Sequence, residues 1–352
     1  MTFLRAAVPL AVAASLFVGS APAHAQEAGA GGVPLDRRAV FDIVTENDFY
    51  ASTTDRWYTT GTRLGYLHPE QRQADLPAPA AWLDRQLEGL GFFGPANTRW
   101  GINLGQHIYT PSDVSRFNPD PKDHPYAGYA FFDFMLMRRT ESYQDRFTVQ
   151  AGLVGPGSWG RNSQDFVHGL LNQDVSHGWK YQLRQEWALG LGFDRTWRLP
   201  ANKGTLPLGL ELDALPSLAL AAGNVAVYAQ GGGRLRVGSN LHMDYGPSRV
   251  RPAAGDGPSA IHGKGEFGWY VFAGAAGRAV GRDIFIEGNT FKPSRGLNRQ
   301  SLVADMDIGA ALLIPVYDRY VRLSYTQDWR TQEFVGQKRY HHFGSFNLSY
   351  AW

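Results

Sequence analysis

The sequence predicts an all-β chain, a transmembrane antiparallel β-barrel of about twelve strands with a short extracellular loop helix. Three observations predict it. Many segments of about ten residues alternate in polarity, near the length of a tilted bilayer-spanning strand. No apolar run of about 18 residues follows residue 25, so no helix spans a membrane. The chain also ends on a strand of its own, with Phe346, Leu348, Tyr350 and Trp352 on one face. A soluble sandwich would alternate too, but it rarely ends with four large apolar side chains on one face.

Composition agrees. The 352 residues include 41 Gly, 20 Phe, 16 Tyr and 10 Trp, no Cys, and a formal net charge of +2. Near-neutral charge argues against a nucleic-acid partner. The absence of cysteine excludes disulfides, thiolate metal sites and a cysteine nucleophile. A mean hydropathy of −0.30 is too low for a bundle of apolar helices.

Residues 1–25 form a signal peptide, with Arg5 in the n-region, AAVPLAVAASLFVG as the apolar core and Ala23-His24-Ala25 as the cleavage site. Residues 26–38 read as a flexible lead-in and 39–352 as the barrel. Strand candidates follow near 40–48, 61–68, 99–110, 127–138, 145–155, 181–199, 207–220, 223–238, 265–282, 302–316, 319–330 and 343–352. In 183–199, Leu183, Gln185, Trp187, Leu189, Leu191, Phe193, Arg195, Trp197 and Leu199 share one face, and Arg184, Glu186, Ala188, Gly190, Gly192 and Asp194 the other. The long connections 69–98, 111–126, 156–180, 239–264 and 283–301 are expected to be mostly extracellular.

Several segments carry more than a pore requires. Thr45-Glu46-Asn47-Asp48, with Thr54-Asp55 and Thr59-Thr60 beyond it, offers oxygen donors suited to a hard cation such as Ca²⁺. A hairpin rim rich in turn formers reads the same way. Residues 162–173 form an amphipathic helix with an apolar stripe of Phe166, Val167, Leu170 and Leu171. His168 lies on its polar side, one turn from Gln164 and Asn172, as a candidate general base or an ordinary loop histidine. The 105–128 segment carries Arg116, Lys122, His107 and His124, which suit phosphates and sugars or are plain loop charge. Ser158, in GPGSWG, is a candidate nucleophile with His168, although no G-x-S-x-G elbow is present.

Together the blocks TENDF (45–49), YTTG (58–61), GQHIYTPSD (105–113), DHPYAG (123–128), GPGSWG-x-x-SQDFVH (155–168) and GWKYQLRQE (178–186) resemble the outer-membrane lipid A 3′-O-deacylases. They cover the first half of the mature chain; the second half matches only as barrel strands. The resemblance implies a twelve-stranded barrel that removes the 3′-linked acyloxyacyl group from lipid A of lipopolysaccharide in the outer leaflet, using Ca²⁺, in the bacterial outer membrane and as a monomer. It implies His168 as the base that activates water, Asn47 and Thr59 as site residues, Asp48 and Asp174 as metal-linked carboxylates, and Arg116 as a phosphate contact. The competing readings are an outer-membrane phospholipase using Ser158 and His168, and a non-enzymatic barrel or pore. One point of geometry stays open: in a regular strand Asn47 and Asp48 would point to opposite faces.

Overall fold

The computed structural model describes residues 33–51, 56–91, 93–171, 175–199, 206–248 and 258–352. The proposed signal peptide lies outside the described residues.

Twelve antiparallel strands close into a barrel, each paired with its sequence neighbours and the first with the last. They are β1 (Val40–Asn47), β2 (Trp57–Leu67), β3 (Asn97–Thr110), β4 (Ala127–Arg139), β5 (Tyr143–Val154), β6 (Glu186–Trp197), β7 (Glu211–Gly223), β8 (Ala226–Ser239), β9 (Gly268–Asp283), β10 (Leu302–Val316), β11 (Arg319–Arg330) and β12 (His341–Ala351). Among the described residues three α-helices accompany them: α1 (Ala78–Gly89), α2 (Gly160–Leu171) and the single-turn α3 (Ile284–Glu287). Among the described residues no helix is long and apolar enough to cross a membrane. The strands do the crossing.

The two faces of the barrel follow directly from the alternation. Leu64, Leu104, Leu189, Ile308 and Phe346 point outward and are exposed, forming the apolar band that lipid covers. Inward, largely buried ion pairs link neighbouring strands: Arg63 of β2 to Asp42 of β1 at 2.5 Å and Arg330 of β11 to Asp305 of β10 at 2.6 Å. Closure is polar on the inside, where Asn347 donates to Asp42 at 2.6 Å and Ser349 to the same carboxylate at 3.1 Å. On the outside, the terminal Trp352 stacks on Tyr350, and Tyr66 lies beside it, building an aromatic belt at the end where the chain terminates.

Strand parity corrects the expectation for the long connections. Residues 111–126, 155–171, 175–185 and 284–301 lie at the end away from the termini, the extracellular end. Residues 68–91 with 93–96, and 240–248 with 258–267, lie at the end that holds both termini. The first of these carries α1, a helix that the sequence reading omits. Its buried face includes Asp84, which interrupts the apolar stripe and is paired with Arg138 of β4 at 2.6 Å. Ala80, Ala81 and Leu87 pack with Leu136, Trp100 and Phe134 on the outer wall. The second connection enters the barrel. Leu241, Met243, Ala260 and Ile261 pack with Val40, Leu67, Met135, Tyr270, Leu313 and Tyr320, filling the lumen with an apolar layer at that end. Asp36 of the lead-in is held there by Arg99 at 3.1 Å and His262 at 3.0 Å.

Candidate active site on the outer wall

The relation of Asn47 to Asp48 is resolved by a strand end. β1 stops at Asn47, and Asp48–Tyr50 turn into a 3₁₀ helix capped by the Asn47 side chain. The Asn47 amide oxygen accepts from Phe49 N at 2.7 Å, and its amide nitrogen donates to Thr60 Oγ1 at 2.8 Å. Asp48 is buried, and its Oδ2 accepts from Arg56 N at 2.8 Å. The turn thus frees the two residues from strict alternation.

A single row then crosses four strands. Asn47 pairs with Thr60, Thr60 with Ile108, and Ile108 with Gly128. Gly128 is where α2 is seated. A Cβ at Gly128 would stand 2.2 Å from Ser158 Oγ and 3.0 Å from Gly160 Cα, so only hydrogen fits there. The turn into α2 is held further by Gln106, which donates to the Ser158 carbonyl at 2.6 Å. From this anchor α2 lies over β4 and β3.

The helix presents its polar side to the barrel, with Gln164 and His168 both buried and one turn apart. Trp179 packs with Ile108 and Tyr126 and donates to Gln164 Oε1 at 2.8 Å, tying the helix to the wall. The apolar stripe faces outward instead, with Phe166 68%, Val167 41% and Leu170 60% exposed. That is inside-out relative to a helix on a soluble core and is what a membrane-facing helix requires. The sequence places His168 on the polar side correctly; that this side is the buried one needs the barrel wall.

The other sequence candidates fall as follows. Thr59 is the extra residue of a β-bulge between Tyr58 and Thr60, buried and hydrogen-bonded through Oγ1 to Thr110 Oγ1 at 2.8 Å. The hydroxyl beside Asn47 is therefore that of Thr60 rather than Thr59, and nothing in the sequence marks the bulge. Arg116 sits on the exposed 111–126 loop, 3.9 Å from Asp120. Asp174 lies outside the described residues. Among the described residues no three His, Asp or Glu side chains gather as a metal cluster. His107 faces the lumen from β3, and burial lowers the pKa of His124, whose Nδ1 lies 2.8 Å from the Pro125 carbonyl. Neither is an exposed titrating loop group.

Ser158 is a structural residue. Its hydroxyl donates to the Gly155 carbonyl at 2.6 Å inside a buried turn where Gly155 has φ +96°. It precedes α2, whereas His168 stands eight residues into that helix, a rise of about 12 Å. A serine–histidine dyad does not form across that distance. Accordingly, Ser158→Ala is expected to retain hydrolytic activity within about threefold, at a stability cost of about 1 kcal/mol for the lost hydrogen bond. Enzyme assays and thermal melts of the purified variant check this, and loss of all activity in a folded variant would restore the dyad.

Fold and site together define a class: a closed transmembrane β-barrel with an amphipathic helix seated on its outer wall, apolar stripe toward the lipid. The sequence model of the family described as Outer membrane protein LpxR matches residues 10–352, and the chain belongs to that family. Among solved structures, LpxR from Salmonella typhimurium is similar over 88% of this chain and 99% of that one, with 18% identity and a TM-score of 0.68. The β-domain of the Bordetella autotransporter Brka matches at 10% identity and a TM-score of 0.38, covering 90% of this chain and 98% of that one. No curated protein matches the chain.

Proposed function

We propose that this outer-membrane barrel is a carboxylic ester hydrolase that removes the 3′-linked acyloxyacyl group from lipid A, with His168 as general base and Ca²⁺ as cofactor. Membership of the LpxR family supports the substrate class. The observation that carries the chemistry is the burial of His168 against the outer wall on which Asn47 and Thr60 are joined. Two lengths support their convergence. Gly160 to His168 rises about 12 Å along the helix, and β4 to β1 spans three strand spacings, about 14 Å.

The donors fit a hard cation in kind: the Asp48 carboxylate, the Asn47 amide oxygen and the Thr60 hydroxyl are all oxygen ligands. Asp174 is the further carboxylate proposed from the family resemblance. When bound, Ca²⁺ would supply positive charge where the oxyanion develops.

The chain's own residues supply the remainder. His168 accepts a proton on an imidazole nitrogen as water attacks the ester carbonyl. The bond from the acyl carbon to the sugar oxygen breaks, and His168 returns the proton to that oxygen. The products are a free carboxylic acid and a sugar hydroxyl. Asn47 and Thr60 orient the attacking water, with Thr59 behind them in the bulge, and Arg116 meets a lipid A phosphate. The exposed Phe166–Leu170 stripe contacts the acyl chains, so a monomer in the outer leaflet takes substrate laterally.

Mass spectrometry of lipid A from cells expressing the protein, with calcium present or chelated, tests the reading. Loss of one whole acyloxyacyl group, abolished by chelation, is expected. Unchanged lipid A with folded protein in the outer membrane overturns it. Activity that survives chelation removes calcium and leaves the histidine.

A further inference from the structure

A second cavity opens at the extracellular mouth of the barrel. It measures about 720 Å³ and is enclosed by Trp57 at the head of β2, the 111–126 loop, the connection after α3 and the 331–340 loop. Four cations line it: Arg56, Lys122, Lys338 and Arg339. None of the four has an ion-pair partner among the described residues. Two carboxylates share the lining, and both are committed elsewhere. Asp120 faces Arg116 at 3.9 Å. Asp123 accepts from Ser112 N at 2.7 Å, Ser112 Oγ at 2.6 Å, the Trp57 indole at 3.2 Å and His124 N at 2.8 Å. The cavity is therefore a cationic chamber whose acids are already hydrogen-bonded.

Its walls are held in place. Gln337 is buried, accepts from Glu333 N at 2.7 Å and donates to the Arg339 carbonyl at 3.1 Å, fixing the backbone that carries Lys338 and Arg339. Arg56 joins the chamber to the outer cleft. Its main-chain N–H holds Asp48, while its guanidinium lies over the Trp57 ring at 4.8 Å and lines the chamber. The rim of the proposed hydrolase cleft is thus also the wall of the chamber.

We propose that this chamber binds an anionic carbohydrate, a sugar bearing a carboxylate or a phosphate, attached to the lipid whose ester is cut. The proposal rests on the hydrolase reading for its link to lipid A and on the chamber alone for its ligand chemistry. Ammonium and guanidinium groups gathered around one cavity select anions. A sugar chain that leaves lipid A and crosses the rim beside Arg56 reaches them. The chamber then orients the lipid in the cleft and sets preference among lipids by the sugars they carry.

The test uses the full chain in detergent and the variant Lys338→Glu/Arg339→Glu. The first measurement is the ratio of kcat/KM for lipid A carrying its acidic core sugars to that for lipid A without them. The wild type is expected to favour the sugar-bearing lipid by about tenfold, equivalent to about 1.4 kcal/mol, and the variant to bring the ratio to about one. Turnover of the sugar-free lipid reports that the variant is folded. The second measurement is calorimetric binding of the acidic oligosaccharide freed from its lipid, and of inorganic phosphate alone. The oligosaccharide is expected to bind the wild type and not the variant. Equal ratios in wild type and variant overturn the proposal. Inorganic phosphate binding as tightly as the oligosaccharide overturns the sugar assignment. Charge-dependent oligosaccharide binding by a protein that hydrolyses neither lipid overturns the hydrolase reading and leaves the anionic-sugar site standing.

Discussion

Replacing His168 by alanine is expected to lower kcat on lipid A by about 10²–10⁴-fold, the usual contribution of a positioned general base, with KM changed far less. The helix that carries it has several other anchors. α2 is seated by the Gly160–Gly128 contact, by the Gln106 bond to the Ser158 carbonyl and by the Trp179 bond to Gln164. The variant therefore remains folded, and the loss falls on the chemical step. His168→Gln separates the roles further, because glutamine keeps a hydrogen bond but moves no proton at neutral pH. It is expected to be nearly as inactive as alanine. The pH profile gives a second readout: the wild-type rate falls on the acid side as the imidazole protonates, and the residual rate of either variant loses that limb. Steady-state kinetics on purified lipid A in mixed micelles measure all three effects. A folded His168→Ala protein with activity within threefold of wild type would remove the histidine from the mechanism.

The barrel was legible because its physics is local to each strand. Alternation in 302–316 and 319–330 marks β10 and β11 to the residue, since a strand with one lipid face and one polar face must write both into its sequence. Closure followed from the last strand, whose Phe346, Leu348, Tyr350 and Trp352 face outward while Asn347 and Ser349 bond to Asp42 on the inside. What escaped depends on partners far along the chain. α1 escaped because Asp84 breaks its stripe, and the Arg138 that neutralises it is 54 residues away. The site was half legible. The Asn47, Asp48 and His168 motifs stood out as residue types, but the hydroxyl beside Asn47 belongs to Thr60 because a bulge at Thr59 shifts the register by one. No pattern in YTTG announces that bulge. The direction of α2 was equally hidden, since an amphipathic stripe shows which residues share a face and not which medium that face meets.

Replacing Asp244 by alanine is expected to destabilise the barrel by about 3–5 kcal/mol, the cost of removing one partner from a buried ion pair. Asp244 is fully buried on the connection that fills the lumen, and it serves two strands at once. Its Oδ1 accepts from Arg236 of β8 at 2.7 Å, and its Oδ2 accepts from Arg322 of β11 at 3.0 Å and from the Tyr270 hydroxyl at 2.9 Å. Without it, two buried guanidinium groups face each other with less compensation. Each keeps some partners, Asp213 for Arg236 and Ser349 for Arg322, which places the effect toward the lower end of the range. Burial by itself would raise the carboxyl pKa, but Arg322 and then Arg236 outweigh it and hold it below the ordinary value of 3.8. The sign follows from that depression. The stabilisation is complete above 3.8 and is lost only as pH falls through the lower folded value. The melting difference between wild type and Asp244→Asn should therefore stay constant from neutral pH to about pH 5 and shrink only in stronger acid. The same contact decides whether the lumen stays shut. Asp244 sits beside Met243, which packs with Leu241, Ala260 and Ile261 in the apolar layer at that end, so its loss frees that layer. Planar-bilayer recordings are expected to show no steady conductance for the wild type and intermittent conductance for Asp244→Ala. Steady conductance by the wild type would return the pore reading to contention, and an unchanged melt for Asp244→Ala would show that the arginines find compensation without it.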